Sequence, residues 1–197
     1  WDNINIPKNV AKCIQTWKNY CKGDWKIIVL NKITIHDWLD EDIDFPKNIF
    51  DEKACHQSDL FGTALLYKYG GIWMDANIIV TKELDWILEY NNWFCYSEND
   101  KFEIFMYASC KKGVIITRIY NLLKYIFTMN NLNRTKCLAQ CRIYDTYLFP
   151  QKIIDYLIEN DVEFRNTIKK NSLPQWQTAY LLIMHMHYHY GCTEKNM

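Results

Sequence analysis

Apolar residues recur at helical spacing in some stretches of this chain and gather into short unbroken blocks in others, and the contrast predicts its elements. In residues 7–20, Val10, Ile14 and Trp17 form a stripe that Cys13 and Cys21 extend, and Pro7 suits a first helical turn. Gly23 ends that helix, and the block 25–30 reads as a strand. Thr34 opens a short helix through Trp38 and Leu39, with Asp37, three residues on, completing a capping box. The acidic, proline-containing stretch 40–46 reads as a loop.

Residues 56–77 carry the densest pattern. Leu60, Ala64 and Tyr67 repeat at helical spacing, and Phe61, Leu65 and Tyr69 widen the apolar face, so this helix is expected to be mostly buried. Gly70 suits the left-handed residue that closes a helix, and Gly71 allows a tight reversal. Ile72, Trp73 and Met74 then read as a core strand, interrupted by Asp75 before Ile78, Ile79 and Val80 resume the apolar run. A charge flanked by core residues is costly unless something pairs it. Asp59 on the helix and Asp75 at the strand's end are therefore placed where one pocket can hold both, at the strand end where α/β sheets bind ligands and hard cations.

Downstream, residues 84–90 read as helical, and 93–96 and 102–108 as two strands around a polar turn at 97–101. Gly113 precedes an apolar helix over 114–127, residues 130–142 form a polar connector, and 149–160 is a further helix. Residues 180–186 suit either a strand or a helix. Strands alternating with helices predict an α/β fold with a mostly parallel sheet, in a single domain spanning 1–197.

Composition narrows the function more than the fold. With 23 basic and 23 acidic residues the net charge is zero, which argues against nucleic acid as a partner. The chain has 197 residues, 49% of them hydrophobic, enough for one sizeable core. Eight cysteines without a C-x-x-C pair read as packed free thiols of a reducing compartment rather than as a disulfide framework. No apolar run is long enough to cross a bilayer. The expected location is cytoplasmic, with peripheral membrane contact allowed.

Ser58-Asp59-Leu60, then Ala64-Leu65-Leu66-Tyr67, then Tyr69-Gly70-Gly71-Ile72-Trp73-Met74-Asp75-Ala76 strongly resembles the signature of the capsular polysaccharide synthesis family. The likeness continues through residues 81–87, and more loosely through 6–18, 25–30 and 149–164. That family is similar to glycosyltransferases whose sugar-binding region carries a D-x-D motif. The resemblance implies a GT-A-like fold, a nucleotide-sugar donor, a divalent cation (Mn²⁺ or Mg²⁺), and a glycan or lipid-linked glycan acceptor. It also implies a strand ahead of Trp1. Asp75 matches the metal-binding carboxylate that helps the nucleoside diphosphate depart, with Asn77 standing at the second acidic position of the motif. Asp59 matches the residue that orients donor-sugar hydroxyls, and Trp1 resembles a tryptophan that packs on the nucleobase. Where the family commonly carries an arginine three residues after the helix aspartate, this chain has Gly62, which motivates a second reading as a catalytically inactive glycan-binding or scaffold domain.

Simpler roles compete at each position. Asp75 suits a turn cap, and Asp59 suits a favourable charge near a helix N-terminus. His185, His187 and His189, with Cys192 beyond, alternate as a zinc-binding strand does, yet read better as an aromatic strand near a terminus. Trp73, Trp86, Trp93 and Trp176 are expected mainly in the core.

Overall fold

The computed structural model describes residues 5–39, 43, 45–46, 48–96, 102–145, 147–170 and 183–185. Within them lie six α-helices: α1 (Lys8–Tyr20), α2 (Ala54–Tyr69), α3 (Val114–Thr128), α4 (Asn131–Gln140), α5 (Phe149–Asn160) and α6 (Val162–Lys170). Five strands accompany them: β1 (Gly71–Met74), β2 (Ile78–Val80), β3 (Asn92–Tyr96), β4 (Phe102–Ser109) and β5 (Ile183–His185). The fold is mixed α/β.

The expected parallel sheet is not present among the described residues. β1, β4 and β3 form one sheet in that order, β2 and β5 form a second, and every ladder is antiparallel. Connectivity explains this. Parallel neighbours need a crossover of a dozen or more residues, usually a helix, whereas only five residues separate β3 from β4 and only a 3₁₀ turn (Asp85–Glu89) lies between β2 and β3. The block 25–30, joined to β1 through α2, has the sequence of a strand but pairs with no other described strand. Its side chains still alternate: Trp25, Ile27 and Val29 pack with Ile72 and Met74 on one core, while Leu30 and Trp73 pack on the other.

Two hydrophobic cores lie on opposite sides of β1 and β4. The larger gathers α2, α3, α5 and α6 around Leu60, Ala64, Ile116, Phe127 and Ile154. The smaller gathers α1, β2 and β3 around Trp17, Ile78, Leu84 and Trp93. α1 is tied to β2 by two hydrogen bonds: the Trp17 indole N–H donates to the Ile78 carbonyl at 2.8 Å, and the Val80 N–H donates to Thr16 Oγ1 at 3.0 Å.

Several local expectations hold and others are corrected. α2 ends as expected on Gly70 at φ 74°, followed by Gly71 at φ 106°. A side chain at Gly70 would also meet the Lys111 nitrogen at 2.8 Å, so both backbone angle and space demand glycine. The short helix over Thr34–Trp38 is a 3₁₀ turn. It is capped by Asn31, whose Oδ1 accepts the N–H groups of Ile33 and Thr34 at 2.8 and 2.9 Å, rather than by a Thr34–Asp37 box. The polar connector over 130–142 contains α4, for which the Asn130 side chain accepts the Asn133 N–H at 2.9 Å. The seven described cysteines are free thiols, as expected; Cys192 lies outside the described residues. No helix among the described residues is long and apolar enough to cross a membrane.

Candidate active site

α2 and β1 meet at the double glycine, which folds the chain back so that the helix lies over the strand. Gly62 is where they touch most closely. A Cβ there would stand 2.5 Å from Trp73 Cδ2 and 2.6 Å from Cε2, so the indole occupies the space a side chain would need. The glycine read as a lost arginine is therefore the seat of Trp73.

The Asp75 N–H donates to the Phe105 carbonyl at 2.8 Å, continuing the β1–β4 ladder by one residue. In an antiparallel ladder alternate residues bond to the same neighbour, so Gly71, Trp73 and Asp75 direct their backbone groups to β4. Those of Ile72 and Met74 face the opposite edge. Along that edge runs a cleft of about 380 Å³, bounded on its far side by residues 25–30 and roofed by Leu65, Leu66 and Tyr69 of α2. Asp75 and Ser58 both line it. The Ile78 N–H closes a turn on the Asp75 carbonyl at 3.1 Å, which places Asn77 inside the same turn.

The two aspartates are brought together electrostatically. Burial pushes the Asp59 carboxyl well above its ordinary range, and the charge of Asp75 pushes it further the same way. Burial alone raises Asp75 from 3.8 to about 7. Both residues are half-buried overall, with protein surrounding most of each carboxyl group. Desolvation without a compensating charge destabilises an anion.

Tyr107, opposite Trp73 in the ladder, completes the inner wall. Its buried hydroxyl lies 3.2 Å from Thr63 Oγ1, and Thr63 spends its own proton on the Asp59 carbonyl at 2.5 Å. The phenol therefore donates to Thr63, and a chain of hydrogen bonds runs from β4 to the backbone of Asp59. Burial raises the Tyr107 pKa, and the charges of Asp59 and Asp75 add to the rise. Beside this wall, β4 breaks register with β3: Phe94 faces Tyr107 but Cys95 faces Glu103. Such bulges bend a strand and re-aim its side chains.

Two carboxylates and an amide oxygen make a hard-oxygen donor set, which suits Mg²⁺ or Mn²⁺. Among the described residues no cluster of three or more His, Cys, Asp or Glu could hold a metal by itself. Mg²⁺ and Mn²⁺ keep water and phosphate oxygens among their ligands, and the Asp75 carboxylate and the Asn77 amide are oxygen donors of the kind they prefer.

A family model described as "Capsular polysaccharide synthesis protein" matches residues 2–195, nearly the whole chain. The chain belongs to the capsular polysaccharide synthesis family. No curated protein and no solved structure matches it. Of the positions that family likeness singled out, Asp75 lines the cleft, Asp59 lines a separate small cavity with Thr63 and Tyr107, Asn77 sits in the turn that follows Asp75, and Trp1 falls outside the described residues. His187, His189, Cys192 and Trp176 fall outside them too. Among the other tryptophans, Trp93 is fully buried, and Trp73 and Trp86 are half-buried against the cores.

Sequence reasoning missed Thr63 and Tyr107. Thr63 sits one helical turn after Asp59, a spacing that carried a usable signal. Tyr107 is one aromatic in a strand full of them, and only the ladder puts it opposite Trp73.

Proposed function

We propose that this capsular polysaccharide synthesis protein is a glycosyltransferase of GT-A type that moves a sugar from a nucleotide-sugar to a glycan acceptor. The observation supporting it is the meeting of Asp59 and Asp75, from two different elements, with Asp75 lining an open cleft. A turn-capping aspartate would have no reason to be held, largely desolvated, near a second acid.

In this reading Asp75 and the Asn77 amide oxygen hold a divalent cation, which when bound supplies positive charge against the departing diphosphate. Asp59 orients the donor sugar. Burial and the charge of Asp75 raise its pKa, and its oxygens can accept from sugar hydroxyls. The Tyr107–Thr63 chain fixes the helical turn that carries Asp59, so that its carboxyl need not be ordered anew as the sugar arrives. The larger core beneath α2 keeps water from the buried side of the pair.

Hydrolysis of a panel of nucleotide-sugars in Mn²⁺ tests the proposal. Turnover with at least one donor, lost in Asp75→Ala while the variant keeps its fold by circular dichroism, is the expected result. Absence of binding to every donor would instead support a catalytically silent glycan-binding domain.

A further inference from the structure

A second cavity, of about 110 Å³, adjoins the cleft and shares Leu30, Ser58 and Trp73 with it. Its helical wall is Ala54, Gln57, Ser58 and Phe61, whose spacing puts all four on one face of α2. Two side-chain amides line it, Gln57 and Asn31, and the fold already engages one end of each. Gln57 Nε2 donates to the carbonyls of Phe50 and Glu52 at 3.1 and 2.8 Å, so nitrogen and oxygen cannot trade places. Both its protons are used, and Oε1 is left to accept. Asn31 is the reverse. Its Oδ1 accepts the N–H groups of Ile33 and Thr34 at 2.8 and 2.9 Å, which leaves its NH₂ to donate. Phe50 adds an aromatic wall; it is 41% exposed, stacks on His36 with ring centres 5.0 Å apart, and tilts against Phe61 at 5.7 Å.

We propose that Asn31 and Gln57 select the base of the nucleotide-sugar, with the base lying in this cavity against Phe50. The assignment rests on the nucleotide-sugar reading above and names the residues that choose among donors. A nucleobase carries a hydrogen-bond donor and an acceptor side by side on one edge, and amide side chains suit such edges. Uracil and guanine set a carbonyl beside a ring N–H, whereas adenine and cytosine set an amino group beside a ring nitrogen. One fixed donor and one fixed acceptor therefore discriminate, while stacking on Phe50 favours every base. At about 30 Å³ for each water, the cavity has room for roughly four, enough for a base and too little for a whole donor. The rest of the donor passes Ser58 into the cleft that Asp75 lines.

The test is calorimetric binding in Mn²⁺ of UDP, GDP, ADP and CDP, with inorganic pyrophosphate as the ligand that has no base. Asn31→Asp keeps an oxygen for the Ile33 and Thr34 N–H groups and loses the donor. Gln57→Lys keeps a donor for the Phe50 and Glu52 carbonyls and loses the acceptor. Wild type is expected to prefer one base by about tenfold or more, and each of these variants to cut that preference about tenfold. Phe50→Ala should weaken all four nucleotides about tenfold with their ranking intact, and leave pyrophosphate within about twofold. An unchanged base preference in either amide variant overturns the assignment. So does wild-type protein that binds the nucleotides no better than pyrophosphate. Wild-type protein that binds none of the five ligands is a different failure: it removes the nucleotide-sugar reading and the assignment with it.

Discussion

Glu52 and Arg134 form a 2.7 Å ion pair just ahead of α2, whereas Asp59, less than two turns farther along, lies in the field of a second acid, Asp75. The first group has its charge paired. Arg134 lies against the rings of Phe127 and Phe149, 5.6 and 5.8 Å from their centres, it donates to Asn131 at 2.6 Å, and it joins α4 to the start of α2. His56, whose pKa is lowered chiefly by burial, stands beside the pair, with Nδ1 3.8 Å from Glu52. The second group is two acids, each pushed up in pKa by burial, with Asp75 on a cleft. A buried charge with its partner in place serves the fold, whereas acids with raised pKa values beside a cleft suit a ligand site.

Arg134→Ala should have the largest effect, because it strands the Glu52 carboxylate: about 3–5 kcal/mol of stability lost, read by chemical denaturation. A drop under about 1 kcal/mol would mean that the two clusters do not differ in kind. Next in size, Asp75→Asn should cut donor turnover about 100- to 1,000-fold, the scale of removing one group that stabilises developing charge. Yet the same variant should be more stable than wild type, not less.

The pH dependence of that gain follows from the folded-state pKa. Asp75 is raised from 3.8 to about 7, so the folded chain holds its proton where the unfolded chain releases it. Wild-type stability relative to Asp75→Asn is then fully present below about pH 4, declines as pH rises, and levels off above about pH 7. Thermal melts across pH 4–8 check this; a Tm difference independent of pH would show that Asp75 is not desolvated. Mn²⁺ affinity should weaken as pH falls below about 7, since the ligand must be ionised.

Gly62→Ala should cost about 1–3 kcal/mol through its clash with the Trp73 indole, despite alanine's higher helix propensity. Pairing it with Trp73→Leu should recover much of the loss, as expected of two residues in contact. A neutral Gly62→Ala would return the position to the sugar site as a place where a side chain is missing.

The helices were legible because their apolar stripes repeat: Val10, Ile14 and Trp17 of α1 and the buried row of α2 all face a core as expected. The strands were legible as segments but not as neighbours. Residues 25–30 and β1 read alike, yet among the described residues one enters a ladder and the other does not. Alternation states which side of a strand is apolar and says nothing about what lies along its edge. Gly62 shows the same limit at a single position, because its meaning depended on where the Trp73 indole lay.

By itself the sequence determined α1, α2, α3 and α5, the double-glycine reversal, the family, and the two aspartates as candidates, since each is written in neighbouring residues or in a local period. Only the tertiary structure decided that Asp59 and Asp75 share a field, that Thr63 and Tyr107 brace one of them, and that Glu52 is already neutralised. Those are contacts between elements far apart in the chain, and burial and charge act through space, where sequence order does not reach.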